Sequence, residues 1–363
     1  MRLVKLDGLR GVFSLMVVLL HYVNHVPKYF FDNFIIRSSY AFVDFFFVLS
    51  GFVIALNYHE IGSYKKLKTF MIKRFIRLYP LLFFTTLMFL FFVLAVILIV
   101  DSFPEYQYIA EGYCHFDIEC LPIMFWETIL MTNSTPILGT ATGLNTPSWS
   151  ISSEMISYLI FGLTIFFIPK KSRNVFILIT IIFGAIFLGF RMSYFASVDY
   201  GFVRGLVSFN TGYFVWYLSR KEFKIHNFFE FVIPVVTVVI FYFLNKFNHF
   251  SPQSQTLGLF TVPIFFGIAI LVFLKTNGFL SRVLETKPFQ FLGVISFSVY
   301  LNHKLLLLII PTAVFSILKI PENDITQLTV LLFAVAVVIL YSYFTYVVIE
   351  RKCGKKLRTL FKI

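Results

Sequence analysis

Charge is scarce in this chain. Asp, Glu, Lys and Arg make up 13% of its 363 residues, while 58% are hydrophobic. A soluble domain carries roughly a quarter charged residues, so there is too little charge to dress a water-facing surface of ordinary size. The alternating segments of about 10 residues that a transmembrane barrel needs are absent. So is any His, Cys, Asp or Glu spacing suited to a metal ion, and no tandem repeat stands out. Long apolar runs fill the chain instead; Ile76 to Val100 carries one charge, Arg77, at its very start. A bilayer core takes about 20 consecutive apolar residues per helix. The chain therefore reads as an all-α, polytopic integral membrane helix bundle.

Ten spanning segments are predicted, near 9–26, 40–58, 76–100, 149–168, 174–194, 201–218, 228–245, 257–274, 290–313 and 326–349. An even count puts both termini on one side. Of the 31 Lys and Arg residues, four (Lys28, Arg37, Lys246, Lys319) fall in odd-numbered loops and three (Arg191, Arg204, Lys304) inside segments. The other 24 belong to the N-terminus, the even-numbered loops and the C-terminus, counting with them Arg10 and Arg77 at the very starts of segments one and three. That asymmetry is the positive-inside signature and places both termini in the cytoplasm. The net charge of +13 is thus topological. It suits acidic lipid or an anionic cofactor and does not point to nucleic acid. Segment one follows a short basic start, lacks a small-residue cleavage pattern and carries Arg10 and His21, so a retained helix is expected rather than a signal peptide.

The one long irregular stretch, 101–148, has six acids and no Lys or Arg. Within it Leu121 to Leu138 is apolar, but Pro122, Glu127, Asn133 and Pro136 spoil a spanning helix. A re-entrant or interfacial segment near 121–139 is expected, because irregular backbone survives at membrane depth only where protein or a cavity shelters it. Cys114 and Cys120 lie in the same stretch, where an oxidising compartment would allow a disulfide; two free thiols are the alternative. Cys353 sits in the basic tail. Few residues follow segment ten, so 1–363 reads as a single transmembrane domain with its chemistry inside the bundle.

Ionisable side chains inside spans are costly and are functional candidates by default. At about 1.5 Å rise per residue, His21 lies roughly 18 Å along segment one and Asp44 roughly 6 Å into segment two. By the same rise, Glu154 lies about 8 Å below Trp149 in segment four, and Asn302 with His303 about 18 Å up segment nine. Arg204 sits near the outer end of segment six. Five helices thus offer polar groups at one level in the outer half of the membrane. On the cytoplasmic side Lys65, Lys66, Lys68, Lys73, Arg74 and Arg77 crowd one loop, with Arg10 close in depth. Arg74 and Arg77 are three apart and share a helix face, and paired guanidinium groups suit phosphate oxygens. The four lysines read as topological anchors. His25, His115 and His249 read as outer-surface residues and His226 as a cytoplasmic one.

These positions belong to an ordered set. Lys5–Leu–Asp–Gly–Leu–Arg10–Gly opens the chain, with ten residues between Arg10 and His21. Then come Asp44–Phe–Phe–Phe–Val–Leu–Ser50–Gly51–Phe52, Arg74–Phe–Ile–Arg77–Leu–Tyr–Pro80 and Pro147–Ser–Trp149–Ser150–Ile–Ser152–Ser–Glu154, with Tyr158 just beyond. Ser296–Phe–Ser–Val–Tyr300–Leu–Asn–His303 follows, and Tyr346 with Glu350 precedes the basic tail. In this order, over essentially the whole chain, they resemble the acyltransferase type three family of membrane acyltransferases, in its form without a fused extracytoplasmic domain. Two positions depart from the family pattern: Ser153 stands where a Val is more usual, and Arg351 follows Glu350 where a proline is frequent.

The resemblance implies transfer of an acyl group, most often acetyl, from cytoplasmic acyl-CoA (acetyl-CoA) to a hydroxyl of a carbohydrate or lipid-linked glycan acceptor. It also implies a bacterial cytoplasmic (inner) membrane location and no metal. His21 is then the catalytic histidine, and Arg10, Arg74 and Arg77 are associated with the donor. In this scheme His21 acts as general base, with a carboxylate, Asp44 or Glu154, fixing its other ring nitrogen; an acyl-histidine intermediate is the alternative. Donors for the developing oxyanion or the acceptor are sought among Trp149, Ser150, Ser152, Arg204, Asn302 and His303. The rival classes are a non-catalytic subunit holding a partner enzyme and a transporter or flippase of a lipid-linked sugar. Inverted repeats with broken helices would mark the transporter, and none is found.

Overall fold

The apolar runs become helices because nothing else satisfies their backbone in lipid. The computed structural model describes residues 3–22, 25–102, 120–138, 143–195, 197, 199–247 and 251–363. Among the described residues there is no strand and there are ten long helices. They are α1 (Val4–His21), α2 (Phe42–Tyr58), α3 (Tyr64–Ser102), α4 (Trp149–Phe167), α5 (Arg173–Arg191), α6 (Gly201–Ser219), α7 (Phe229–Lys246), α8 (Pro252–Lys275), α9 (Lys287–Pro311) and α10 (Asp324–Thr345).

Eight of these are long and apolar enough to cross a membrane; α1 and α6 have the length but not the apolarity. Their packing explains why. α1 lies along α9, while α6 is wrapped by α2, α4, α5 and α8. A helix sheltered by protein on most sides has no lipid-facing surface to keep apolar, so it is free to carry Arg10, His21, Arg204 and Asn210. The lipid-facing α5, α7 and α10 are the opposite case, with Phe183, Phe190, Val235, Leu332 and Leu340 exposed.

Two of these contacts bring backbone against backbone. A Cβ added at Gly51 of α2 would overlap Phe209 O of α6, and one at Gly212 would overlap Val48 O. Likewise a Cβ at Gly293 of α9 would overlap Asp7 O of α1, and one at Gly11 would sit 2.6 Å from Gly293 N. Small residues let membrane helices close to this range. Because main-chain atoms cannot swing aside, Gly212→Val is expected to lower the apparent melting temperature in detergent or abolish monodisperse protein. Insertions into packed cores cost about 1–3 kcal/mol even where side chains give way. An unchanged melting profile would show that α2 and α6 do not meet there.

The segment expected to be re-entrant is a nine-residue helix, Leu121–Ile129, followed by turns to 138. Its polar residues Glu127, Thr128, Asn133 and Ser134 are buried. Thr128 Oγ1 accepts from Leu144 N at 2.8 Å, Asn133 Nδ2 donates to Ser148 Oγ at 2.8 Å, and Ser152 Oγ donates to Met131 O at 2.5 Å. The irregular backbone is thus tied to the start of α4. The Cys114–Cys120 pairing lies outside the described residues, as does position 139.

Candidate functional site

Two cavities run through the bundle and meet at a shared wall. The first, of about 200 Å³, is lined by Arg10, Arg74, Arg77, Ser50, Glu154 and Tyr158 among others. The second, of about 600 Å³, is lined by His21, Tyr22, Tyr40, Trp149, Arg204 and Arg37 among others. Val43 and Tyr300 line both. α1 passes from one to the other, Arg10 in the first and His21 in the second, about 16 Å apart along the helix. α2, α4 and α9 span the same interval, and the glycine contacts fix α1 on α9 and α2 on α6.

In the arginine cavity the three guanidinium groups differ. Arg10 Nε donates to Ser296 Oγ at 2.8 Å and its Nη2 to Gly293 O at 2.6 Å, stitching α1 to α9. Arg77 pairs with Glu350, whose carboxylate is 4% exposed and also accepts from Ser298, and it stacks 4.7 Å above the Phe297 ring. Arg74 has no hydrogen bond or ion pair among the described residues. It lies 5.4 Å from the Tyr58 ring centroid and 5.9 Å from that of Tyr158, and its buried Nε is unpartnered. Glu154 faces this cavity, where Oε1 accepts from Ser50 Oγ at 2.6 Å and from Tyr158.

In the larger cavity His21 is held through one ring nitrogen only, and its Nε2 has no hydrogen-bond partner among the described residues. Its Nδ1 lies 2.9 Å from Val17 O and 3.2 Å from Nε2 of His303. Trp149 is 7% exposed and stands between Phe47 and the Arg204 guanidinium. At the shared wall the Tyr300 hydroxyl is 2.9 Å from Ser150 Oγ.

Several expected partnerships are rearranged. Asp44 does not reach His21. It is bound to Arg204 (Nη2 to Oδ2, 2.6 Å), and Oδ1 accepts from Tyr194 and from Ser208, each at 2.8 Å. Glu154 sits with the arginines instead. Among the described residues no carboxylate holds His21; His303 does. Asn302 turns to α10, where Nδ2 donates to Thr345 Oγ1 at 2.8 Å, and Ser152 is consumed by Met131 O and Ser134. Rise per residue assigns all these groups to one level, but it says nothing of the direction a side chain takes around its helix. Glu350 and Tyr300, named in the motifs without a role, are the partner of Arg77 and part of the wall between the two cavities. A buried acid at the end of a span, and a tyrosine three residues before a buried histidine, were the available signals.

The profile of a family described as an acyltransferase domain matches residues 3–347. The chain belongs to this family, the acyltransferase type three family. The acyltransferase is thus a multi-pass integral membrane protein with its cavities inside the family's domain. A stretch of 83 residues is 43% identical to "Protein 2 in picA locus" of Rhizobium radiobacter, covering 22% of the acyltransferase and 40% of that protein. No solved structure matches.

Proposed function

We propose that the acyltransferase moves an acyl group, acetyl in the simplest case, from cytoplasmic acyl-CoA to a hydroxyl of a carbohydrate or lipid-linked glycan. One observation carries the reading: a cavity ringed by arginines at the basic end meets, at Tyr300 and Val43, an aromatic-lined cavity holding a histidine whose Nε2 has no hydrogen-bond partner among the described residues. Guanidinium groups suit a polyanionic donor. The second cavity has the size of a small-molecule site, about 300–1,000 Å³, and its Trp149, Tyr22 and Tyr40 rings offer faces for sugar C–H groups.

In this scheme Arg74, which has no hydrogen bond or ion pair among the described residues, takes a donor phosphate, while Arg77 and Arg10 shape the cavity. The acyl-pantetheine arm reaches the shared wall, where the Tyr300 hydroxyl, accepting from Ser150 Oγ, is positioned to donate to the thioester oxygen as charge develops. His21 takes the acceptor hydroxyl's proton. The basic flank identifies the arginine side with the cytoplasm, and a bacterial inner membrane is the proposed location.

Arg74→Ala separates donor recognition from folding, because Arg74 has no hydrogen-bonded partner among the described residues to abandon. Losing a charged hydrogen bond of about 1.5–3 kcal/mol should raise the KM for acyl-CoA about ten- to hundred-fold. A truncated acyl-pantetheine thioester without the nucleotide phosphates should be used equally by variant and wild type. Equal loss on both donors, or no use of acyl-CoA by intact protein at any chain length, would overturn the assignment.

A further inference from the structure

We propose that His303 is a positioning residue that locks His21 in its Nδ1–H tautomer, leaving a bare Nε2 lone pair turned to the larger cavity. The inference rests on His21 being the base and adds what determines its direction of proton transfer.

His303 is 0% exposed, and its Nδ1 lies 3.2 Å from Val299 O. An unpaired cation at this depth is costly, so both rings are taken as neutral, with one N–H each. A carbonyl oxygen only accepts, so the His303 proton sits on Nδ1 and its Nε2 is a lone pair. That lone pair is 3.2 Å from His21 Nδ1, which also lies 2.9 Å from Val17 O. Two acceptors converge on one nitrogen, so His21 Nδ1 carries the proton and Nε2 is bare. Nε2 has no protein partner among the described residues, and the ring lines the cavity. The opposite tautomer would set the Nδ1 lone pair against a carbonyl and a second lone pair, and it would present a donor where a base is needed.

The proton balance then closes on two histidines. The acceptor oxygen attacks the thioester carbonyl carbon as His21 Nε2 removes the hydroxyl proton. The resulting imidazolium donates Nδ1–H to His303 Nε2, a neutral group in the place a carboxylate holds in hydrolase triads. When the C–S bond breaks, Nε2 returns the proton to the departing sulfur, giving ester and free thiol. The contact depends on α1 and α9 being held together at Gly11 and Gly293.

The test is nitrogen NMR of the full chain in detergent, labelled with ¹⁵N-histidine, with the His21 signals assigned by loss in His21→Ala. Wild type should show His21 protonated at Nδ1 and bare at Nε2. His303→Phe should mix the tautomers and lower kcat on the order of a hundred-fold, the lower end of what a positioned base contributes, with the KM for acyl-CoA unchanged. His303→Gln, whose amide oxygen accepts the same Nδ1–H, should restore both readouts. His21 protonated at Nε2 in wild type overturns the proposal, whether or not the variants fold. So does an unshifted tautomer and rate in a folded His303→Phe. The tautomer is read without turnover, so failure of the acyl-CoA reading would show separately as absent thioester loss.

Discussion

His21→Ala is expected to lower acyl transfer about 10²–10⁴-fold, the range a positioned general base contributes, while leaving acyl-CoA affinity unchanged. The separation follows from the geometry. His21 lines the larger cavity, and the arginines line the other, with Val43 and Tyr300 between. Truncating an imidazole in a cavity removes one contact to the Val17 carbonyl and one to His303, too little to disturb the arginine end some 16 Å along the helix. The effect should therefore fall on kcat rather than on donor KM, the pattern of an interaction made in the transition state. Steady-state kinetics with purified variant checks this. A rise in donor KM with kcat preserved would instead make His21 a donor-binding residue.

The second large effect is on stability. Asp44 is 0% and Arg204 2% exposed, and the carboxylate is satisfied by Arg204, Tyr194 and Ser208. Removing one partner of such a pair leaves an uncompensated charge at membrane depth and costs about 3–5 kcal/mol. Asp44→Ala should thus sharply lower the apparent melting temperature in detergent. It would strand a guanidinium that stands 5.5 Å from Trp149, 5.4 Å from Tyr194 and 5.1 Å from Phe195 by ring centroid. The double change Asp44→Leu/Arg204→Met, which removes both charges, should recover much of the loss, since apolar replacement of a whole buried pair is often neutral. Thermal unfolding of the three proteins decides it. If Asp44→Ala melts like wild type, the pair is not what fastens α2 to α6.

The contrast between the two pairs shows what the sequence made legible. Hydropathy and charge bias located all ten helices, because lipid enforces apolarity on every turn it touches. They placed the start of α3 at 76 rather than Tyr64, since the basic turns there are helical yet not apolar; their long side chains reach out to water. Rise per residue put His21, Asp44, Glu154, Arg204, Asn302 and His303 near one level, yet Glu154 lines the arginine cavity while His21 and Arg204 line the other. Partner choice was not legible. A residue turns about 100° around a helix from its neighbour, so two groups at one depth face each other only when their helices are also rotated correctly. The tight contacts at Gly51–Phe209 and Gly293–Asp7 set that rotation, and a single sequence shows the glycines without showing what lies opposite. Hence a carboxylate was expected beside His21, where His303 stands, and Asp44 and Glu154 went to other partners.

The same limit separates Arg74 from Arg77. Spacing made them equivalent on one helix face, and only the fold brings Glu350 across to neutralise Arg77, leaving Arg74 stacked on Tyr58 and Tyr158 with its Nε unpartnered.

The most direct measurement is to incubate purified protein with acyl-labelled coenzyme A and follow bound donor and thioester loss in one sample, for wild type and His21→Ala. Wild type should bind the donor and slowly release label to water or to an added glycan, and His21→Ala should bind equally and retain the thioester intact. Thioester loss at the wild-type rate in His21→Ala, or no bound donor in wild type with acetyl and longer acyl chains alike, would contradict the account.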